Sequence, residues 1–164
     1  MESNTSLLTL RAIEQSDDEA LAHLIRETME EFGVCGDNTS AADREIDEMY
    51  ESYSRPRHAY FVWDLDGRIL GGGGIGPLSG ADETICELRK MYLHRSLRGQ
   101  GKGQELLQKC LAAARTHGFQ QCYLETMSQM EAAKKLYERN GFVECSSPMG
   151  ATGHQCHRWM IKSL

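Results

Sequence analysis

Residues 84–103 read TICELRKMYLHRSLRGQGKG, and how this stretch is read decides the fold. Thr84 to Leu93 is mostly apolar, β-branched or aromatic and reads as a long strand. Arg98-Gly99-Gln100-Gly101-Lys102-Gly103 follows. Behind it Leu106, Leu107, Cys110, Leu111 and Ala114 fall on one helical face, closed by Gly118. The unit is strand, glycine-rich turn, helix. A helix N-terminus has unpaired N–H groups and partial positive charge, which together attract phosphate. Glycines at alternate positions remove side chains that would hold a pyrophosphate away from those N–H groups. Arg98 and Lys102 add full charges. The segment predicts a diphosphate cradle.

Two other phosphate motifs fit less well. A dinucleotide fingerprint needs GxGxxG, and Gln104 stands at the third glycine; no βαβ unit ending in a ribose-binding acid surrounds it. The run Gly71 to Gly74 has no GK[ST] behind it and is not a P-loop. It reads as strand glycines, where a bulge forms or another backbone comes close.

A second block stands one helix and one strand further on: AAKKLYERNGF, Ala132 to Phe142. Together the blocks resemble the signature of the GNAT superfamily of N-acetyltransferases. That signature is (Arg/Gln)-x-x-Gly-x-(Gly/Ala) between a long strand and a helix, followed by Ala-x-x-x-Tyr-x-x-x-Gly-Phe. The resemblance is close from Cys86 to Cys145, a little over a third of the chain. The N-terminal strand and helix pair fit only in order and pattern.

The resemblance implies an acyl transfer from acetyl-CoA to an amine, by direct attack on the thioester. In that family the fourth and fifth strands part and the pantetheine arm lies between them. Here these are Thr84 to Leu93 and Gln121 to Thr126. Backbone groups of Met91, Tyr92 and Leu93 would pair with the pantetheine, and N–H groups from Arg98, Gly99, Gln100, Gly101, Lys102 and Gly103 would hold the pyrophosphate. Such chemistry needs a base for the ammonium and an acid for the CoA thiolate. Tyr137 matches the family's acid. Glu87 and Glu125 match base positions used by two of its branches. Glu87 is preferred because Cys86 and Leu88 flank it, although it could equally pair with Arg89 or Lys90. One position departs: the asparagine that many members carry seven residues before the tyrosine is Met130 here. The resemblance also implies that dimers are common.

Outward from these blocks, Leu7 to Ile13 reads as a strand. Ser16 with Glu19 reads as a capping box ahead of a helix carrying Leu21, Leu24, Ile25, Thr28, Met29 and Phe32, broken by Gly33 and Gly36. Ser40 with Asp43 reads as the start of a helix through Ile46, Met49, Tyr50 and Tyr53. Asp66-Gly67 is a hairpin turn between apolar runs. Ser128 with Glu131 reads as another capping box, and Asn140-Gly141 as a left-handed helix stop. FVEC and HQCHRWMIK read as closing strands joined by a loop from Ser146 to Gly153. The order predicts one α+β domain over residues 1–164: a mixed, mostly antiparallel sheet of about seven strands with about four helices.

Composition narrows the function classes. The chain has 164 residues, 40% hydrophobic and 26% charged, which suits one folded domain and is too apolar for a disordered chain. No run approaches the ~20 apolar residues of a membrane span. The N-terminus lacks the basic flank and apolar stretch of a secretory signal. A cytoplasmic location is expected. A net charge of -6 does not suit a nucleic-acid binder. Much of the acidic excess lies between Glu27 and Glu48, either as a solvated helix face or as a surface suited to a cationic acceptor. The six cysteines form no CxxC pair and are expected to be reduced. His154 and Cys156 would share a strand face, but no fourth ligand stands at metal spacing, so no metal is expected. The expected acceptor is a primary amine of a small molecule or peptide. A rival reading keeps the same fold as a non-catalytic acyl-CoA sensor or scaffold.

Overall fold

The computed structural model describes residues 6–33, 44–154 and 156–164. The expected helix start at Ser40 and Asp43, the break at Gly36, and Cys35 lie outside the described residues. The elements are β1 (Leu8–Ala12), α1 (Asp18–Glu31), α2 (Met49–Tyr53), β2 (Ala59–Leu65), β3 (Arg68–Pro77), β4 (Ile85–Leu93), α3 (Lys102–Thr116), β5 (Gln121–Thr126), α4 (Glu131–Arg139), β6 (Val143–Glu144) and β7 (Arg158–Ser163). They build a seven-stranded sheet in the order β1-β2-β3-β4-β5-β7-β6. Every neighbouring pair is antiparallel except β4 with β5. No helix among the described residues is long and apolar enough to cross a membrane.

Alternation along the strands separates the two larger clusters of the core. Tyr60, Val62 and Ile69 meet Leu21, Leu24, Ile25 and Met29 of α1 together with Ile46, Met49 and Tyr53. Trp63, Ile75, Cys86, Leu88, Cys122 and Leu124 meet Leu106, Leu107, Cys110 and Leu111 of α3, with Tyr137 and Phe142 beside them.

The glycine run in β3 explains how the sheet opens. Gly72 pairs with Tyr92 and Gly74 with Arg89, so Gly73 alone faces both Lys90 and Met91. β4 therefore carries a bulge, and Lys90 takes the left-handed φ of 47°. A Cβ on Gly72 or Gly74 would run into the Tyr60 ring. That ring lies under the glycines, and its hydroxyl donates to the Lys90 carbonyl at 2.6 Å, fixing the bulge. Bulges bend a strand and raise its twist. β4 pairs with β5 only from Ile85↔Gln121 to Glu87↔Tyr123; beyond Glu87 the two strands part. Gly74→Ala should cost about 2–3 kcal/mol, because the new methyl meets both the Ala59 carbonyl and Tyr60. Thermal unfolding should show a Tm lower by several degrees.

Turns follow the sequence where backbone geometry forces them. Asp66 and Gly67 both have positive φ (50° and 90°), as a two-residue hairpin requires. Gly118 and Gly141 close α3 and α4 in left-handed conformations.

Three local expectations are corrected. The reciprocal cap ahead of α1 is made by Glu14 and Asp17, not Ser16 and Glu19. Asp17 also takes the Arg11 guanidinium at 2.8 and 2.9 Å, and this ion pair sets where the chain turns. Ser128 does not cap α4; its hydroxyl contacts Gln129 and His157. The last strand begins at Arg158, so His154 and Cys156 lie in the loop before it and share no strand face.

Candidate functional site

Where β4 and β5 separate they leave a cleft of about 340 Å³. Its walls carry Glu87, Lys90, Met91 and Tyr92 from β4, Leu124, Glu125 and Thr126 from β5, and Tyr137 from α4. Thr152, His154 and Cys156 of the loop before β7 close one side. His94 N–H bonds the Leu70 carbonyl on the β3 side. Alternation then turns the backbone groups of Met91 and Leu93 toward the gap and those of Tyr92 toward β3.

At the far end of β4 the chain makes a 3₁₀ turn (Arg95–Leu97) and enters the glycine segment. Gly99 and Gly101 have φ of 73° and 76°, and a Cβ at either would point into open space. Among the described residues no protein acceptor lies on the N–H groups of Gly99, Gln100, Gly101, Lys102 or Gly103. Five consecutive donors without a protein acceptor thus stand at an uncovered helix N-terminus, an end whose partial positive charge favours an anion.

The two basic side chains of the segment do other work in this structure. Arg98 reaches back to the Leu93 carbonyl with Nε at 3.1 Å and Nη2 at 2.9 Å. It also holds Glu31 bidentately at 2.7 and 2.9 Å. Its own N–H bonds the Arg95 carbonyl. Arg98, expected to add a full charge and an N–H to the cradle, has its guanidinium paired with Glu31 and its N–H on the Arg95 carbonyl. Arg98 instead ties the end of β4 to α1 and so shapes the cradle's entrance. Lys102 Nζ pairs with Glu105 at 2.9 Å and sits 5.1 Å from the Trp63 ring centroid.

Toward the paired end of the slot lie two carboxylates and an imidazole. One ligand-type atom each from Glu87, Glu125 and His154 falls within 4.8 Å of the others. Glu87 is only 7% exposed. Burial raises its pKa; the Arg89 guanidinium, bonded to Oε1 at 2.8 Å, opposes that rise, and the neighbouring Glu125 adds to it. The expectation that Glu87 could pair with Arg89 is met. Glu125 has both oxygens engaged: the Tyr123 hydroxyl donates to Oε2 at 2.7 Å and the Thr152 hydroxyl to Oε1 at 2.5 Å. Tyr123 in turn accepts the Met149 N–H at 3.1 Å, so β5 is hooked twice onto the loop before β7. Arg89 supplies a cation beside Glu87.

Tyr137 is buried at 6% exposure, yet it borders the cleft. Burial pushes its phenol well above the ordinary value, keeping it protonated at neutral pH. Its hydroxyl has no hydrogen-bond partner among the described residues. Met130, where the resemblance would place asparagine, also lines the cleft and offers a thioether there.

The structure brings Tyr137, Glu87, Glu125, Met91 and Tyr92 to one cleft, but the Tyr92 backbone, expected to face the pantetheine, turns toward β3. Sequence reading weighed His154 only as a metal ligand and did not place it beside Glu87 and Glu125, and it did not find Thr152 and Tyr123 as the hydroxyl partners of Glu125. For Tyr123 a signal existed: in a strand, positions i and i+2 share a face, so it had to stand beside Glu125. For Thr152 and His154 there was none, since an irregular loop has no period to read.

The chain and its fold have counterparts among known proteins. The family model for the acetyltransferase (GNAT) family matches residues 19–142. The uncharacterized N-acetyltransferase YjgM of Escherichia coli is 40% identical over 157 residues, covering 94% of each chain. Among solved structures, a GNAT-family acetyltransferase of Staphylococcus aureus superposes with a TM-score of 0.83 at 19% identity, covering 96% of this chain and 99% of that one. The PaiA N-acetyltransferase of Thermoplasma acidophilum, solved with coenzyme A, superposes with a TM-score of 0.76 at 18% identity, covering 96% and 99%.

Proposed function

The chain belongs to the acetyltransferase (GNAT) family and is an acyltransferase; from this we propose that, as a single domain, it carries an acetyl group from acetyl-CoA to a primary amine of a small molecule or peptide. The observation that carries the reading is the row of unpartnered N–H groups from Gly99 to Gly103 at one end of the gap between β4 and β5. The CoA pyrophosphate would lie on those donors. The pantetheine would run along β4, its amides meeting the backbone of Met91 and Leu93 as an added strand would. The thioester would then stand between Tyr137 and the Glu87–Glu125 end of the cleft.

The amine must lose a proton before it attacks the thioester carbon. Glu87 is the proposed base: it is buried, its pKa is raised, and Oε2 is not the oxygen held by Arg89. The N–C bond forms, the C–S bond breaks, and the CoA sulfur takes a proton from the Tyr137 hydroxyl. Both hydroxyl donors on Glu125 suit it to holding the loop. Acetyl-CoA turnover, read by a thiol reagent across a panel of amines, tests the reading. Thiol release with no amine would remove it.

The raised Glu87 pKa gives a pH prediction with a definite sign. The base must be ionised, so kcat/KM falls as pH drops through the Glu87 pKa. Because that pKa lies above the ordinary 4.5, the acidic limb should sit higher than for an exposed carboxylate. Glu87→Gln should remove that limb and lower kcat by about 10²-fold or more. An unchanged profile would take Glu87 out of the mechanism.

A further inference from the structure

We propose that His154 is the proton outlet of this site, relaying the proton that Glu87 takes from the amine to solvent. The inference rests on the proposed function and goes beyond it.

A buried base has to be reset after each turnover. Glu87 is 7% exposed and Arg89 covers one of its oxygens, so bulk water has little access to it. Glu125 cannot serve as the next carrier without giving up a hydroxyl donor, since Tyr123 and Thr152 occupy both oxygens. Burial pushes the Cys156 thiol up to about 12, so it holds its own proton. His154 stands within 4.8 Å of Glu87, a span that one hydrogen bond or one bridging water covers. It is partly exposed at the cleft wall. An imidazole titrates near neutrality, and a carboxyl raised by burial lies closer to it than an exposed one does.

The structure also shows how the His154 main chain is kept there. The Thr152 hydroxyl donates to Glu125 and accepts the His154 backbone N–H at 3.3 Å. Tyr123 holds Met149 earlier in the same loop. The tie between β5 and the loop therefore sets the distance from His154 to Glu87. Charged and titratable groups around it are Glu87 and Arg89 on β4, Glu125 and Tyr123 on β5, and Cys156 in its own loop. Arg44, Glu45, Lys90 and Tyr137 line the same cleft.

The steps balance. The ammonium N–H bond breaks and Glu87 becomes a carboxylic acid. Glu87 then loses that proton to the imidazole, and the imidazolium gives it to water. Glu87 is an anion and His154 neutral again, and the net product is one proton in solvent.

Two measurements test this. In the first, the ring signal of His154, assigned by its loss in His154→Gln, is followed by NMR against pH in the unmodified chain and in Glu87→Gln. The relay predicts a His154 pKa lower by about one unit once the carboxylate is removed. Identical titrations would overturn the coupling, and this arm needs no acceptor. In the second, turnover is measured with whichever amine the panel yields. At low buffer His154→Gln should lose about tenfold or more in kcat, recovered by added imidazole. A structural defect would not be recovered by imidazole. If His154→Gln turns over like the unmodified chain at every buffer concentration, the relay is wrong while the acetyltransferase reading stands. If the unmodified chain acetylates nothing, it is the proposed function that fails.

Discussion

Gly101→Asp should abolish measurable acetyl-CoA binding, a loss of about 100-fold or more in affinity, while the protein stays folded. Gly101 is the cap of α3 and has a left-handed φ of 76°. Asp tolerates that conformation better than most residues, at roughly 1–2 kcal/mol, so the fold should survive with a modest fall in Tm. Nothing in the protein lies within 4 Å of the new Cβ. The space it would enter is the space assigned to the pyrophosphate, and its carboxylate would place like charge on like at a helix N-terminus built for an anion. Calorimetric titration with CoA, beside a thermal unfolding curve, separates loss of binding from loss of fold. Retained affinity in a folded variant would mean that the pyrophosphate lies elsewhere.

Tyr137→Phe should act on the opposite quantity. Removing one hydroxyl leaves the ring packed edge-on to Phe142 at 5.7 Å between centroids, so stability and acetyl-CoA affinity should hardly change. The acid proposed for the departing CoA sulfur would be gone. A positioned acid is worth about 10²–10⁴ in rate, so kcat should fall by that factor with the Kd for acetyl-CoA unaltered. The high pKa that burial gives this phenol keeps it a donor across the working pH range. A variant turning over at the original rate would leave Tyr137 as a core aromatic.

How much of this was legible in the sequence depended on periodicity. Leu106, Leu107, Cys110 and Leu111 repeat as a helix face does, and they lie buried against the sheet. Asp66-Gly67 and Asn140-Gly141 require particular backbone angles, and the chain turns at both. The glycines 71 to 74 were read as a place of bulging or close approach. The structure adds the partner of two of them, Tyr60, which fills the room beside Gly72 and Gly74 and pins the Lys90 carbonyl across the sheet. Caps were legible only in part, because Ser16–Glu19 and Glu14–Asp17 both offer side chains at suitable spacing. Arg11, distant by one strand end, decides for Asp17. The side of the cleft with the carboxylates was half hidden. Glu87 and Glu125 come from strands with regular alternation. His154 and Thr152 come from a loop whose path is set by long-range bonds to Tyr123 and Glu125. Arg98 shows a different limit: its charge was evident, but its partner Glu31 lies 67 residues earlier.

The central claim is that main-chain donors at the start of α3, beside a parted pair of strands, hold a CoA pyrophosphate. The most direct test is an amide NMR titration of isotope-labelled protein with CoA. The account predicts that the N–H signals of Gly99, Gln100, Gly101, Lys102 and Gly103 shift together with those of Met91 and Leu93, at a single saturating concentration. Movement of signals elsewhere while those seven stay in place would contradict it.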